Sequence, residues 1–261
     1  MFATIPRHNA ASPLREFAHA NANASGTTSP PPQRHAIVLG WEDVLVPLSL
    51  LAQRIGLQPS RQAMETARAL LAQEPYLKQV IATIEDQTIA LLATAAALGP
   101  VFIITEKSLK YMEILCAVFF PRLGAFLLQA NMPGAFTPQH LHLHQVRVVS
   151  PPRKFASAME VAQWKMSVFN SVCAGQLEGV VRSPFSLISV SASASDAMFC
   201  VEVAQKTARS LVIPKCVQVA NPQDAGATAP ASLESFYAQL QTLQGYLATV
   251  AAHPSAFSTH L

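Results

Sequence analysis

Short apolar runs separated by longer amphipathic stretches set the pattern of this chain. Ala36-Ile-Val-Leu39 is too short for a helix and has the length of a buried strand. Across residues 61–98 the period changes. Leu77, Val80, Ile81, Ile84, Leu91 and Leu92 recur at spacings of three and four, which predicts a helix stopped by Gly99-Pro100. Val101-Phe-Ile-Ile104 predicts a second buried strand, and 106–120 a helix closed by Pro121. Gln145-Val-Arg-Val-Val149 is a third strand, with a helix over 156–173. Ser186-Leu-Ile-Ser-Val190 is a fourth, with a helix over 196–207. Leu211–Val219 contains a fifth, interrupted by Pro214. A loop rich in Ala, Pro and Gly follows, from Asn221 to Ala231. Ser232 then caps a last helix, on which Leu233, Phe236, Tyr237, Leu240, Leu243, Leu247 and Val250 share one face.

Strands alternating with helices imply βαβ units, and therefore a parallel sheet covered on both faces. Such sheets place a ligand at the C-terminal ends of their strands. The residues that finish the first four strands, Gly40, Thr105, Ser150 and Ser191, are the ones to read for function. The predicted boundaries are an extended tail with a proline-rich spacer over 1–35, a domain over 36–253, and a C-terminal tail over 254–261.

Composition narrows the function classes. Apolar residues make up 51% of the 261 positions and charged residues 13%. The surface is thinly charged, which favours partial cover by a protein partner. The net charge is +3 and the basic residues are scattered, so no nucleic-acid footprint is expected. Gly99-Pro100 cuts the apolar stretch from Ile89 to Thr105, and Glu113, Pro121 and Arg122 interrupt that from Met112 to Leu128, so no membrane span is expected. Cys116, Cys173, Cys200 and Cys216 stand apart from one another in sequence, which reads as four buried thiols in a reducing compartment. The segment before Gly26 carries Arg7 and Arg15 and is rich in Ala, Asn and Ser. A mitochondrial presequence is one reading, and an uncleaved tail beginning at Met1 and held by a neighbour is the favoured one.

At the strand ends the chain resembles the haloacid-dehalogenase-like superfamily, in a branch whose first motif reads roughly Asp-Trp-Asp-Asp-Thr-Leu-Leu-Pro. Here the segment is Gly40-Trp41-Glu42-Asp43-Val44-Leu45-Val46-Pro47. Ile103-Ile104-Thr105 matches the second motif, Trp164-Lys165 the third, and Leu187–Asp196 the fourth. The resemblance covers about residues 36–250. It implies a Rossmann-like three-layer fold with a mostly parallel five-stranded sheet, a helical insert after strand 1 and no large cap domain. In that family the first Asp attacks phosphorus, the acid two residues later works as general acid and base, and magnesium sits on the first Asp and a fourth-motif acid. In this chain those carboxylate positions fall on Gly40 and Ala192, while Glu42 keeps the general-acid position. Thr105 and Lys165 persist as a remnant phosphate pocket. Glu106 beside them opposes an anion. The expectation is an inactive member with no cofactor, in which Lys165 pairs with Glu42 or Asp43 and Thr105 caps the following helix. Asp43 and Asp196 are the acids that could substitute for the missing ones.

His140, His142 and His144 alternate with Leu, which on a strand puts all three on one face, as a weak candidate metal site. An edge strand with its histidines outward is the plainer reading. Trp41 and Trp164 read as packing residues. The resulting expectation is a structural or interaction subunit of a larger protein assembly. The cytoplasm fits, with the cytoskeleton or a ciliary axoneme as the assembly, and a mitochondrial complex is the alternative. A sensor of phosphorylated ligands that uses Thr105 and Lys165 is the competing function, followed by a residual magnesium-dependent phosphatase.

Overall fold

The computed structural model describes residues 34–131, 146–177, 184–207, 211–220 and 232–261. Among them lie six strands: β1 (Arg34–Gly40), β2 (Val101–Ile104), β3 (Val146–Val149), β4 (Phe185–Ser191), β5 (Val212–Gln218) and β6 (Phe257–His260). Eight helices join them: α1 (Leu48–Ile55), α2 (Arg61–Gln73), α3 (Pro75–Leu98), α4 (Leu109–Phe119), α5 (Pro121–Asn131), α6 (Ala158–Leu177), α7 (Ala194–Thr207) and α8 (Leu233–Ala252). Every strand pair is parallel, in the order β3-β2-β1-β4-β5-β6. The fold is α/β and Rossmann-like in three layers. The described residues form one compact unit. The tail over 1–33 and the three histidines at 140, 142 and 144 lie outside the described residues.

β1 and β4 occupy the centre, and both carry apolar side chains on each face. Ile37, Leu39, Ile188 and Val190 point into the larger core, beneath α1–α5 and α8. Ala36, Val38, Phe185 and Leu187 point into the smaller one, beneath α6 and α7. This two-sided burial is why β1 reads as an unbroken apolar run, and why β4 keeps apolar residues on both faces between its serines. The chain steps from β1 outward to β2 and β3. It then returns to the other side of β1 at β4, which puts the topological switch between β1 and β4.

The structure has one strand more than the five expected, and the difference is physical. Residues 254–261 are not a free tail, because Phe257–His260 pairs with Lys215–Gln218 and the Leu261 N–H donates to the Gln218 carbonyl, 2.9 Å. Exposure alternates along β6, so it carries no apolar run to betray it. β5 and β6 are joined through α8 on the larger-core face, whereas β4 and β5 are joined through α7 on the opposite face. Both crossovers step the same way across the sheet, so their hands are opposite. The usual handedness rule gives no reason to expect β6 there. β5 runs unbroken through Pro214, because β6 begins pairing only at Lys215 and β5 is still an edge at the proline.

The helix expected over 61–98 is two helices. Pro75 takes the first position of α3 and pushes Glu74 out of helical geometry, which ends α2. α1 ends at Gly56, whose φ of 64° is the left-handed conformation glycine favours at a helix C-terminus. At Gly99 the demand is space: a Cβ there would lie 2.4 Å from the His35 carbonyl oxygen, so only glycine lets the end of α3 meet β1. α3 has the length and composition of a membrane-crossing helix. In the fold, Leu77, Ile81, Ile84, Leu91 and Leu92 of this helix are core residues.

One buried carboxylate organises the helical layer. Glu85 in mid-α3 is 2% exposed. It accepts from the backbone N–H groups of Arg122 (2.6 Å) and Leu123 (2.9 Å) and from Arg122 Nε (2.9 Å). A negative charge thus meets the free N–H groups at the start of α5, where the helix dipole favours it. Glu85→Ala orphans those donors beside a buried Leu123 and is expected to cost about 2–4 kcal/mol by urea titration. A loss below about 0.5 kcal/mol would mark the contact as incidental.

A second buried charge closes the other end of the layer. Lys215 is fully buried and its Nζ donates to the Ala251 carbonyl at the end of α8, 2.7 Å. The helix C-terminus favours the cation, but burial outweighs it and lowers the pKa to about 8. The unfolded chain then binds the proton more tightly than the folded one between about pH 8 and 10.5. Lys215 should therefore contribute a rise in stability with pH across that window. Lys215→Met should flatten the rise by roughly 1–3 kcal/mol in pH-resolved denaturant titrations. An unchanged slope would contradict the assignment.

Candidate functional site

The strand ends of β1, β2 and β4 open into a cleft of about 480 Å³. Gly40 and Ala192 contribute backbone and, for Ala192, a methyl group to its floor. Polar groups come from Glu42 and Asp43 after β1, Glu106 and Lys107 after β2, Lys165 on α6, and Ser191, Ser193 and Asp196 around the start of α7. The sequence-derived candidates Gly40, Glu42, Ala192 and Lys165 therefore share one cleft. Thr105, fully buried, stands against it through its bond to Glu42.

Glu42, Asp43, Glu106, Lys165, Ser191, Ser193 and Asp196 each engage a neighbour through their side chains. Thr105 Oγ1 donates to Glu42 Oε1 at 2.6 Å, and the Glu106 N–H reaches the same oxygen at 3.3 Å. Burial pushes the Glu42 carboxyl above its ordinary value, and the Thr105 bond only partly opposes this. Asp43 lies at φ 55°, an uncommon position for a residue other than glycine. Its carboxylate holds this turn by accepting from the Ser49 N–H, 2.9 Å, and from the Ser49 hydroxyl. Burial raises its pKa as well, while both bonds to Ser49 lower it.

Lys165 is 8% exposed and sits between two acids. Its Nζ lies 2.8 Å from Glu106 Oε1 and 3.1 Å from Asp196 Oδ1. Asp196 is 6% exposed and also accepts from the Ser191 hydroxyl at 2.7 Å. Burial alone would lower the ammonium pKa, but Asp196 and Glu106 reverse the effect and the net shift is upward. The partners are not Glu42 and Asp43, as expected from the sequence. Those two are turned toward Thr105 and Ser49, and Lys165 on α6 reaches Glu106 and Asp196 instead. Nor does Thr105 cap α4. The helix begins at Leu109, Ser108 Oγ accepts from the Tyr111 N–H, and Thr105 Oγ1 instead accepts from the Lys107 N–H at 3.1 Å.

Sequence reading missed Ser49, Lys107 and Tyr111 in this cleft. Ser49 belongs to α1, which the apolar pattern did not reveal. Lys107 and Tyr111 follow a strand end by a few residues, and that position is the signal that could have found them. Trp41 is fully buried, and Trp164 packs on Phe155 with ring centroids 5.5 Å apart, so both are packing residues.

No family model matches the chain, and no curated protein matches it. Among solved structures, an effector of Legionella pneumophila, Ceg4, crystallised with an N-terminal TEV protease cleavage sequence, is similar at 8% identity and a TM-score of 0.38. The match spans 85% of this chain and 99% of that one.

With its charge shared between two acids, Lys165 is part of the fold as much as of the cleft. Lys165→Met should cost about 2–4 kcal/mol in denaturant unfolding, because Asp196 is left buried without a cation. Adding Asp196→Asn should restore part of the loss. A single-variant cost near zero would show that the ammonium is solvated rather than locked.

Proposed function

We propose that this chain is a haloacid-dehalogenase-like pseudoenzyme that acts as a binding or structural subunit of a larger protein assembly. The observation that carries the reading is the pairing of two vacancies with one neutralised cation. Gly40 and Ala192 stand at the ends of β1 and β4, where the resemblance calls for the nucleophile and a magnesium-holding acid. Lys165, which would meet a phosphoryl group, is already held by Glu106 and Asp196. Glycine and alanine have no oxygen to attack phosphorus or to bind a hard cation.

The electrostatics run the same way. Four acids, Glu42, Asp43, Glu106 and Asp196, line the cleft against Lys107 and Lys165. An incoming phosphate meets net negative charge, which opposes binding. Asp43 is a poor replacement nucleophile, because both its oxygens are engaged by Ser49 and displacement of a reacting group by about 1 Å is costly. A cytoskeletal or axonemal assembly remains the favoured setting, on the thinly charged composition of the whole chain.

Size-exclusion chromatography of native extract, with identification of co-eluting chains, tests the reading. Elution well above 28.0 kDa with defined partners is expected. In parallel, the purified chain with magnesium should leave an aryl phosphate intact. Turnover that Asp43→Asn abolishes would replace this reading with a residual phosphatase. Thermal stabilisation by a phosphate ester that Lys165→Met abolishes would replace it with a sensor.

A further inference from the structure

Among the described residues β6 pairs only with β5, so its other side is an edge of the sheet. One contact fixes which backbone groups lie on that edge. The Leu261 N–H donates to the Gln218 carbonyl, which turns the backbone groups of Leu261, and by alternation those of Thr259 and Phe257, toward β5. The N–H and C=O of Ser258 and His260 therefore point outward. The side chains alternate as well. Phe257 and Leu261 are half-buried against the larger core, and the Phe257 ring lies on His253 with centroids 4.5 Å apart. Ser258 and His260 are exposed on the opposite face. There Ser258 lines a groove of about 440 Å³ with Val201 and Met198 of α7, and Met198 is 63% exposed. The two edges of the sheet are unlike. β3 carries an exposed Arg147 and runs into Pro151-Pro152, a charge and prolines of the kind that guard an edge against pairing. Phe257–Leu261 contains no Lys, Arg, Asp, Glu or Pro.

We propose that β6 is a homodimer interface, in which two copies of this chain pair their β6 strands antiparallel about a twofold axis at Thr259 and join their sheets into one.

The occupant is a second copy because the segment is complementary to itself. A twofold axis demands that if one residue meets another, the second meets the first in return. With the axis at Thr259, Ser258 of each copy faces His260 of the other, and each such pair exchanges its outward N–H and C=O groups. On the α8 face, Thr259 meets its own counterpart and Phe257 meets Leu261. Each half-buried apolar side chain thus gains an apolar neighbour across the seam, and no like charges are opposed. An axis at Ser258 would instead set Phe257 against Thr259 and Leu261 against Ser255. The pairing is independent of the state of the cleft at the strand ends.

Analytical ultracentrifugation of the purified full-length chain, loaded up to about 100 μM so that a contact of micromolar affinity is populated, tests the proposal. The expected species has twice the 28.0 kDa mass of the chain. Ser258→Pro removes an outward N–H and keeps the bonds to β5, and it should raise the dimer Kd by roughly tenfold or more. Thr259→Cys brings two thiols to the closest cross-strand position, with Cα atoms about 4.5 Å apart, within disulfide reach. Mild oxidation should then give a covalent dimer on a non-reducing gel. Ser258→Cys, roughly 8 Å from its own counterpart across the seam, should not. The four native cysteines are buried, and the wild type oxidised in parallel gives the baseline. The wild-type mass and the cross-link stand whether or not Ser258→Pro folds. A wild type that stays monomeric, a dimer that folded Ser258→Pro leaves intact, or a dimer that Thr259→Cys does not cross-link would each overturn the proposal.

Discussion

An ammonium held between two carboxylates sets the character of the cleft. Lys165 comes from α6, Glu106 from the turn after β2, and Asp196 from the first turn of α7. These segments lie on opposite sides of the switch between β1 and β4, the place where an open parallel sheet exposes its strand ends. A buried lysine is tolerated there only because both acids are present, and the buried Asp196 is tolerated only because of the lysine. The triplet therefore links the two halves of the sheet and neutralises the Lys165 ammonium.

A separate polar arrangement holds the loop after β1. Glu42 takes a hydrogen bond from Thr105, and Asp43 ties its left-handed turn to the start of α1 through Ser49. Neither acid faces the lysine. The cleft thus contains two polar groups that meet at Glu106, whose N–H reaches Glu42 and whose carboxylate pairs with Lys165. A Cβ at Gly40 would stand 3.0 Å from Val44 Cγ2, so the loop has settled close to the space a side chain would use.

Most of the fold was legible because a parallel sheet buried on both faces produces continuous apolar runs, and β1 and β2 stand out that way. α8 was legible for a different reason, its seven-residue apolar face and its serine cap, which the Ser232–Ser235 capping box reproduces. β6 was not, because an edge strand with alternating exposure lacks such a run. Nor was the break at Glu74, since the apolar period continues across it and only Pro75 signals the interruption. Gly40, Glu42 and Ala192, read at strand ends, and Lys165, named from the resemblance, line one cleft. Partner choice was not readable, because it depends on which side of the sheet α6 occupies, and spacing along the chain carries no such information.

The pairing of β1 has a consequence for how the chain acquires its structure. Its first strand is central, with Arg34 opposite Phe185 and Leu39 opposite Val190. During synthesis, the edge facing β4 stays unmatched until the chain has been made past Val190. Contacts so distant along the chain close slowly, and an open strand edge invites association with other chains in the interval. Nascent-chain protection, whether from a chaperone or from an assembly partner that docks early, would then govern how much of this protein reaches its native form.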